Sequence, residues 1–322
     1  MSNAGTGVVG IEEVAIEPEA YHTDPAFADR LSNSKLKDFA DDPEVFYDRH
    51  VARTIPGKDI SAFIFGRRFE ALVFYDEAPN VVVIPEGVLQ RRRKPNSDDY
   101  TFAKAGDTWN AWREEQIDRH GPDVALLKQD EFDKQITPLF LARDRVRQHE
   151  AAAKLLWGGT DSRTHVTYRW NQRVGDIEVP SKCQLDVLHH EHVIVDLKTG
   201  APNHVKDADS FARHVCQMRY HWQRYWYRHA VYAATGELMP FRFVAVSSSY
   251  PFHVGVYDLD DDGPPGGDEL SWEDAADGAV WRELDWYRTC LTTGMWKPRG
   301  WGCVAKVKMP RWAQAIEIER SL

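Results

Sequence analysis

The chain predicts an α/β fold: a mixed central β-sheet flanked by helices. Three observations carry this. Short β-branched runs at 164–170, 183–188 and 193–198 read as neighbouring strands. A helical pattern follows from Asp207 to Tyr232, and two further strand-like runs, at 241–247 and 253–257, come after it. Strands bracketing a helix at this spacing belong to an α/β core.

Taken in order, residues 1–18 show no pattern and are expected to form a mobile tail. From 34 to 50, a serine-started pattern with Leu36, Phe39, Val45 and Phe46 predicts one or two helices broken at Pro43. Residues 61–75 predict a second helix, apolar at Phe63, Ile64, Leu72 and Val73, in which Gly66 leaves room for a close approach. The stretch 79–100 reads as loop with a short strand at 81–83. Helices are expected over 103–119 and, long and amphipathic, over 129–156. After the core strands and their helix, a helix over about 270–293 and a Trp-rich tail end the chain, and 258–267, with paired prolines and glycines, is a solvated loop. This gives a tail (1–18) and one elaborated domain (19–322), made of a mainly helical front (19–160), a core (161–260) and a C-terminal helix with tail (261–322).

The 322 residues are 43% hydrophobic and 28% charged, without an apolar run long enough for a membrane span, and the polar start Met1-Ser2-Asn3-Ala4-Gly5 is no signal peptide. The four cysteines, Cys183, Cys216, Cys290 and Cys303, are scattered with no C-x-x-C, which points away from a disulfide framework or a zinc site and towards a reducing, cytoplasmic setting. A net charge of −10 argues, as a sum, against a nucleic-acid partner. The charges are segregated, however. Acids run at 258–262 and 268–277, cations at 67–68, 91–94, 213–228 and 297–311, and a cleft can be basic inside an acidic protein.

The chemistry concentrates at 182–199. Residues two apart on a strand share a face, so Asp196 and Lys198 point the same way, and Asp186 lies on the preceding strand across a polar turn at 189–192. Two such acids suit a hard divalent cation, Mg²⁺ or Mn²⁺. A lysine beside it can orient a metal-bound water for attack on a phosphodiester. A bare D-x-K also describes an ordinary surface salt bridge. On the following helix Gln223 and Tyr227 are four apart and share a face. His189, His190 and His192 in a turn read as solvated.

The Asp196-Leu197-Lys198-Thr199 run, with Tyr220-His221-x-Gln223-x-x-x-Tyr227 on a following helix, resembles the RecE-type exonucleases (exonuclease VIII), a branch of the PD-(D/E)XK nuclease superfamily. Tyr21-His22, Leu31-Ser32-Asn33-Ser34-Lys35-Leu36 and Asp42-Pro43-Glu44-Val45-Phe46-Tyr47 are similar to that family's opening, and the run 65–73 looks like its glycine-led helix. The likeness extends from Glu19 to the end. It implies a restriction-endonuclease-like core with an N-terminal helical region. It further implies Asp186, Asp196 and the Leu197 carbonyl as metal ligands, Lys198 positioning the water, and Gln223 and Tyr227 orienting Lys198 or holding phosphate. Where the family helix carries a metal-binding histidine this chain has Glu70, and where it carries a strand glutamate this chain has His165, as if the two groups had traded places around one site. Glu70 is accordingly the remaining metal ligand. Arg67, Arg68, Arg92, Arg93, Lys182 and Arg224 are the candidate DNA contacts. In the tail, Trp296, Lys297, Arg299 and Trp301, followed by Lys306, Lys308 and Arg311, interleave rings and cations in a way that suits single strands, with packing or a subunit contact the expected role.

The resemblance implies a metal-dependent exonuclease that resects linear double-stranded DNA from its 5′ ends and leaves 3′ single strands for recombination. It also implies a RecT-type single-strand annealing partner, a homo-oligomeric ring and no membrane. The alternatives are a structure-specific endonuclease on the same fold, or a catalytically silent DNA-binding or assembly module.

Overall fold

The computed structural model describes residues 7–17, 20–57, 61–95, 98–261 and 270–303, with backbone only for 61–63. Along them run strands β1 (Val8–Val14), β2 (Val81–Val83), β3 (Gln90–Arg93), β4 (Tyr100–Ala103), β5 (Ala125–Leu127), β6 (Arg163–Val174), β7 (Ile177–His189), β8 (Val193–Gly200), β9 (Phe241–Ser247) and β10 (Val254–Asp258). Among the described residues, six strands form one sheet in the order β1-β6-β7-β8-β9-β10, antiparallel except for the parallel β8–β9 pair. A parallel pair needs a crossover, and the Ala208–Met218 and Tyr220–Thr235 helices supply it. The mixed sheet flanked by helices is the expected α/β architecture.

Both faces of the sheet centre are covered, so β8 and β9 are apolar on both sides. Ile194, Phe241, Phe243 and Ala245 pack into one core with the Asn33–Asp41, Ala208–Met218, Tyr220–Thr235 and Trp272–Thr293 helices. Val193, Val195, Val244 and Val246 pack into a second core with the Ser61–Phe74, Thr137–Gln148 and Glu150–Trp157 helices. Side-chain caps start these helices where their orphan amides need partners. Asp207 accepts from Ser210 N at 2.8 Å, and Ser271 from Asp274 N at 3.0 Å. Gly66 does the close-approach work expected of it: an added Cβ would lie 3.3 Å from Thr199 Oγ1, so its absence seats the helix on the end of β8.

Several expectations are corrected. Residues 8–14 are an edge strand, not a tail; Val8 and Ile11 pack on the first core, while Glu12 pairs with Arg169 and Glu13 with Arg163. The long helix over 129–156 is three, Gln129–Gln135, Thr137–Gln148 and Glu150–Trp157. Pro138 has no amide to continue a helix, and extended His149 caps the third by accepting from Ala152 N at 3.3 Å. The helix after Asp207 breaks at Arg219, which is left-handed at φ 53. Where a loop and the start of a helix were expected, β3 and β4 form a hairpin, and the helix itself is Asp107–His120. Trp296 stacks on Phe46 at 5.8 Å, as a packing residue does; Lys306, Lys308 and Arg311 lie outside the described residues. Among the described residues no helix is long and apolar enough to cross a membrane.

Candidate active site

The site is a fork in the sheet. β7 and β8 pair at His189↔Val193, Leu188↔Ile194 and Val187↔Val195, and there the ladder ends. Beyond it β7 continues along β6, while β8 continues in parallel with β9 as far as Gly200. The next residues facing each other across the opening are Asp186 and Asp196. An amide that loses its ladder partner must find another, and Leu197 N finds Asp186 Oδ2 at 2.7 Å. β7 also changes phase at this point, since Leu185 packs in the first core and Val187 in the second. On β6, His165 falls opposite Asp186 between the pairs Thr164↔Val187 and Val166↔Leu185, with φ at +53. A non-glycine residue there holds backbone strain of about 1–3 kcal/mol.

On β8, Asp196 and Lys198 share a face as expected and form a close ion pair. Asp196 is 1% exposed, and its Oδ1 accepts from Gln223 Nε2 at 2.6 Å. Gln223 thus holds Asp196 rather than Lys198, which corrects the expected partner. Lys198 Nζ lies 5.1 Å from the centroid of the Tyr220 ring, and Lys37 Nζ, from the Asn33–Asp41 helix, lies 5.6 Å from the same centroid while donating to Met218 O at 3.2 Å. Tyr227, one turn beyond Gln223, is a packing residue whose ring meets Phe241 at 6.3 Å. Burial first, then Tyr21, Asp196, Cys183 and Asp186, raise its pKa well above the ordinary tyrosine value.

The electrostatics follow from two acids sharing one buried notch. Burial first, then the Asp196 charge, raises the Asp186 pKa well above the ordinary carboxylate range, with Lys198 opposing. Burial also raises Asp196, against the pull of Lys198. Lys198 is raised as well; burial opposes its charge, but Asp196 and Asp186 outweigh it. The amine is therefore a charged donor and not a base. Lys37 is pushed down to about 8 by burial and then by Lys198.

A hard divalent cation fits this donor set. Asp196 Oδ2 is shielded from solvent and, among the described residues, has no directed hydrogen bond beside its ion pair with Lys198. Two oxygen-donor acids also hold their charge at a penalty that a cation would remove. Among the described residues no three His, Cys, Asp or Glu side chains form a ready-made cage, so water would complete the shell, as it does around Mg²⁺.

Glu70 and His165, separated by 95 residues, meet. Glu70 Oε1 is 2.9 Å from His165 Nε2, and Tyr75 Oη is 2.7 Å from His165 Nδ1. A neutral ring donating from Nε2 to Glu70 and accepting from Tyr75 satisfies both contacts. The two departures from the family pattern are thus brought into one contact. The Glu70 charge also reaches both aspartates and contributes to raising them. At Leu197 the observed contact is the amide, donated to Asp186.

The candidate DNA contacts divide. Arg67 is exposed and Arg68 half-buried on the helix of Glu70, and the Arg67 charge reaches His22. Arg92 and Arg93 are exposed on β3. Lys182 is corrected: it is 3% exposed, donates to Tyr21 O at 2.5 Å and lies 3.8 Å from the Tyr21 ring centroid. Burial, then Lys35 and Arg30, push its pKa down to about 7. Arg224 is corrected too: 4% exposed, it is spent on Asp261 and Glu273 inside the protein. The three turn histidines do not meet at one point, although the His189 and His190 rings lie 4.1 Å apart. His189 is buried, His190 meets Ser162, and His192 meets Glu237 at 2.7 Å. Sequence reasoning missed Lys37, Tyr75 and Tyr220. Tyr220 had a signal, standing three before Gln223 on one helix face.

Three comparisons bear on this geometry. A family model described as a PDDEXK-like domain of unknown function (DUF3799) matches residues 102–265, which span β4 to β10 and hold the whole fork. A solved structure from Eubacterium rectale, named "Putative exonuclease", aligns with TM-score 0.54 and 15% identity over 94% of this chain and 98% of that one, a likeness in fold. A second, SSO0001, aligns at TM-score 0.27 with 12% identity over 79% of this chain and 97% of that one, too little to argue from. Comparison with curated proteins gives no match.

Proposed function

The chain belongs to the PDDEXK-like family, and from that premise we propose that it is a divalent-metal-dependent deoxyribonuclease, a RecE-like exonuclease acting on ends of linear duplex DNA. One observation carries the reading: a sheet fork that puts Asp186, Asp196 and Lys198 together with an unmet demand for positive charge. The E. rectale structure, matched over nearly its whole length and named for exonuclease activity, supports the exonucleolytic form.

Held by Asp186 and Asp196, with the Leu197 carbonyl and water as further ligands and Glu70 reached through water, Mg²⁺ or Mn²⁺ would supply Lewis acidity towards the phosphate and a more acidic water. Gln223 fixes the Asp196 carboxylate in the notch. Lys198, kept protonated by the two acids, donates to the attacking water or to the charge that builds on the phosphate. It stays 17% exposed, so the site opens to a substrate. His165 and Tyr75 fix Glu70 at the rim, and Arg67 and Arg68 on the same helix offer charge to the DNA backbone. Removal of one strand from the 5′ end, transfer of the 3′ strand to a RecT-type annealing protein, and a homo-oligomeric ring complete the proposal.

Digestion of linear duplex labelled at either end tests it. With Mg²⁺ the protein releases the 5′ label at once, shortens the 3′-labelled strand progressively and leaves a covalently closed circle intact. Lys198→Ala slows this by roughly 10²–10³-fold. Absence of any metal-dependent degradation by the wild type sinks the proposal; nicking of the circle replaces it with an endonuclease.

A further inference from the structure

The β3–β4 hairpin carries a surface that the fork does not use. Its register sets Arg91 opposite Phe102 and Arg93 opposite Tyr100. Residues opposite in a ladder, and those two apart on a strand, share a face, so these four side chains lie together. Gln90 and Arg92 take the other face, where Arg92 donates to Gln90 Oε1 at 2.9 and 2.8 Å. On the first face the Arg91 guanidinium lies 3.8 Å from the Tyr100 ring centroid, and Tyr100 and Phe102 are 48% and 40% exposed.

A two-stranded ribbon with so little buried surface needs external anchoring to keep a fixed shape. Lys128 Nζ provides it by donating to Phe102 O at 2.6 Å, and Lys104 Nζ by donating to Leu126 O at 2.9 Å and pairing with Glu131 at 3.0 Å. Four consecutive cations, 91–94, face two acids, Asp98 paired with Arg93 and Asp99 with Lys94, both at the turn end. The hairpin is therefore cationic in a chain of net charge −10. Single exposed rings are ordinary on protein surfaces. Two rings beside a stacked guanidinium, on one face of an anchored ribbon, match what unstacked nucleobases and their phosphates require.

We propose that this face is a stacking platform for single-stranded DNA, with bases on Tyr100 and Phe102 and phosphates met by Arg91. A duplex keeps its base faces covered and would use the cations alone. Nucleic acid as the occupant rests on the nuclease reading, but the platform does not depend on the cleavage chemistry.

Fluorescence anisotropy with the full chain in EDTA tests it, using dye-labelled oligo-thymidine and a blunt duplex of the same length. Tyr100→Ala and Phe102→Ala each weaken oligo-thymidine binding roughly ten-fold and leave duplex binding unchanged. Arg91→Gln weakens both and flattens the salt dependence. EDTA removes the metal that cleavage would need, so a failure of the cleavage reading does not register in this assay. Three results overturn the platform: ring variants that bind oligo-thymidine normally, equal losses on both ligands, or a change in oligomeric state by light scattering with affinity unmoved, which would make the face a contact between copies. The replaced rings are exposed, and circular dichroism checks that each variant is folded.

Discussion

Two clusters of charge lie against opposite faces of one helix, Tyr220–Thr235, and they have opposite characters. Gln223 looks towards Asp196, Asp186 and Lys198; its neighbour Arg224 looks towards Asp261 and Glu273, which Arg228 and His229 also contact. In the second cluster each acid has a cation in hydrogen-bonding geometry. Burial works against the Glu273 charge, yet the His229 hydrogen bond and the Arg228 and Arg224 charges hold its pKa below the ordinary value. In the first cluster the acids outnumber their cation and both are raised. A saturated cluster ties the Trp272–Thr293 helix to the Tyr220–Thr235 helix. An unsaturated one keeps a demand for a cation, the electrostatic pattern expected of a functional site.

The contrast breaks most sharply on paired variants. Asp196→Asn preserves the volume at Gln223 and lowers cleavage on the order of 10³-fold in the end-labelled assay, with a melting temperature near that of wild type. Arg224→Ala does the reverse: it takes the hydrogen-bonding cation from Asp261, leaving that acid the longer Arg228 contact, and lowers stability to urea by about 1–3 kcal/mol. A stable Arg224→Ala protein would mean that the two clusters do not differ as described. A smaller effect sharpens the first cluster. Asp186→Asn removes a like charge from the notch and raises stability in metal-free buffer by about 1 kcal/mol, whereas Mn²⁺ raises the melting temperature of the wild type and not of the variant. The smallest effect concerns pH. Because the Glu273 pKa is lowered in the folded protein, its stabilisation is present above the ordinary carboxylate value and is lost as pH falls through the lowered one. Glu273→Gln therefore destabilises at neutral pH, and urea titrations at descending pH show that difference closing in the acid range.

The core strands and both aspartates were legible because β8 and β9 are buried on both faces and read as unbroken apolar runs ending in polar residues. β1 was not legible. Gly10, Glu12 and Glu13 give it no alternation, and its partner, β6, is about 150 residues away. β3 was hidden for the same kind of reason: its four residues are all exposed, so its strand character comes from pairing with β4 rather than from burial. Lys182 and Arg224 misled because a cation in sequence looks solvated, and only tertiary packing puts one on the Tyr21 carbonyl and the other between two acids. The pairing of Glu70 with His165 lay in the departures from the family pattern, but contact across 95 residues is not encoded in spacing.

The short connection between β7 and β8 carries more than its exposure suggests. Surface turns ordinarily absorb insertions and deletions. Here the turn at 189–192 sets which residue of β8 stands across from Asp186, and strand side chains alternate with a period of two. One added or missing residue would rotate Asp196 and Lys198 to the far side of the sheet and bring apolar neighbours into the notch. The length of that connection is thus as much a part of the fork's geometry as the acids it separates.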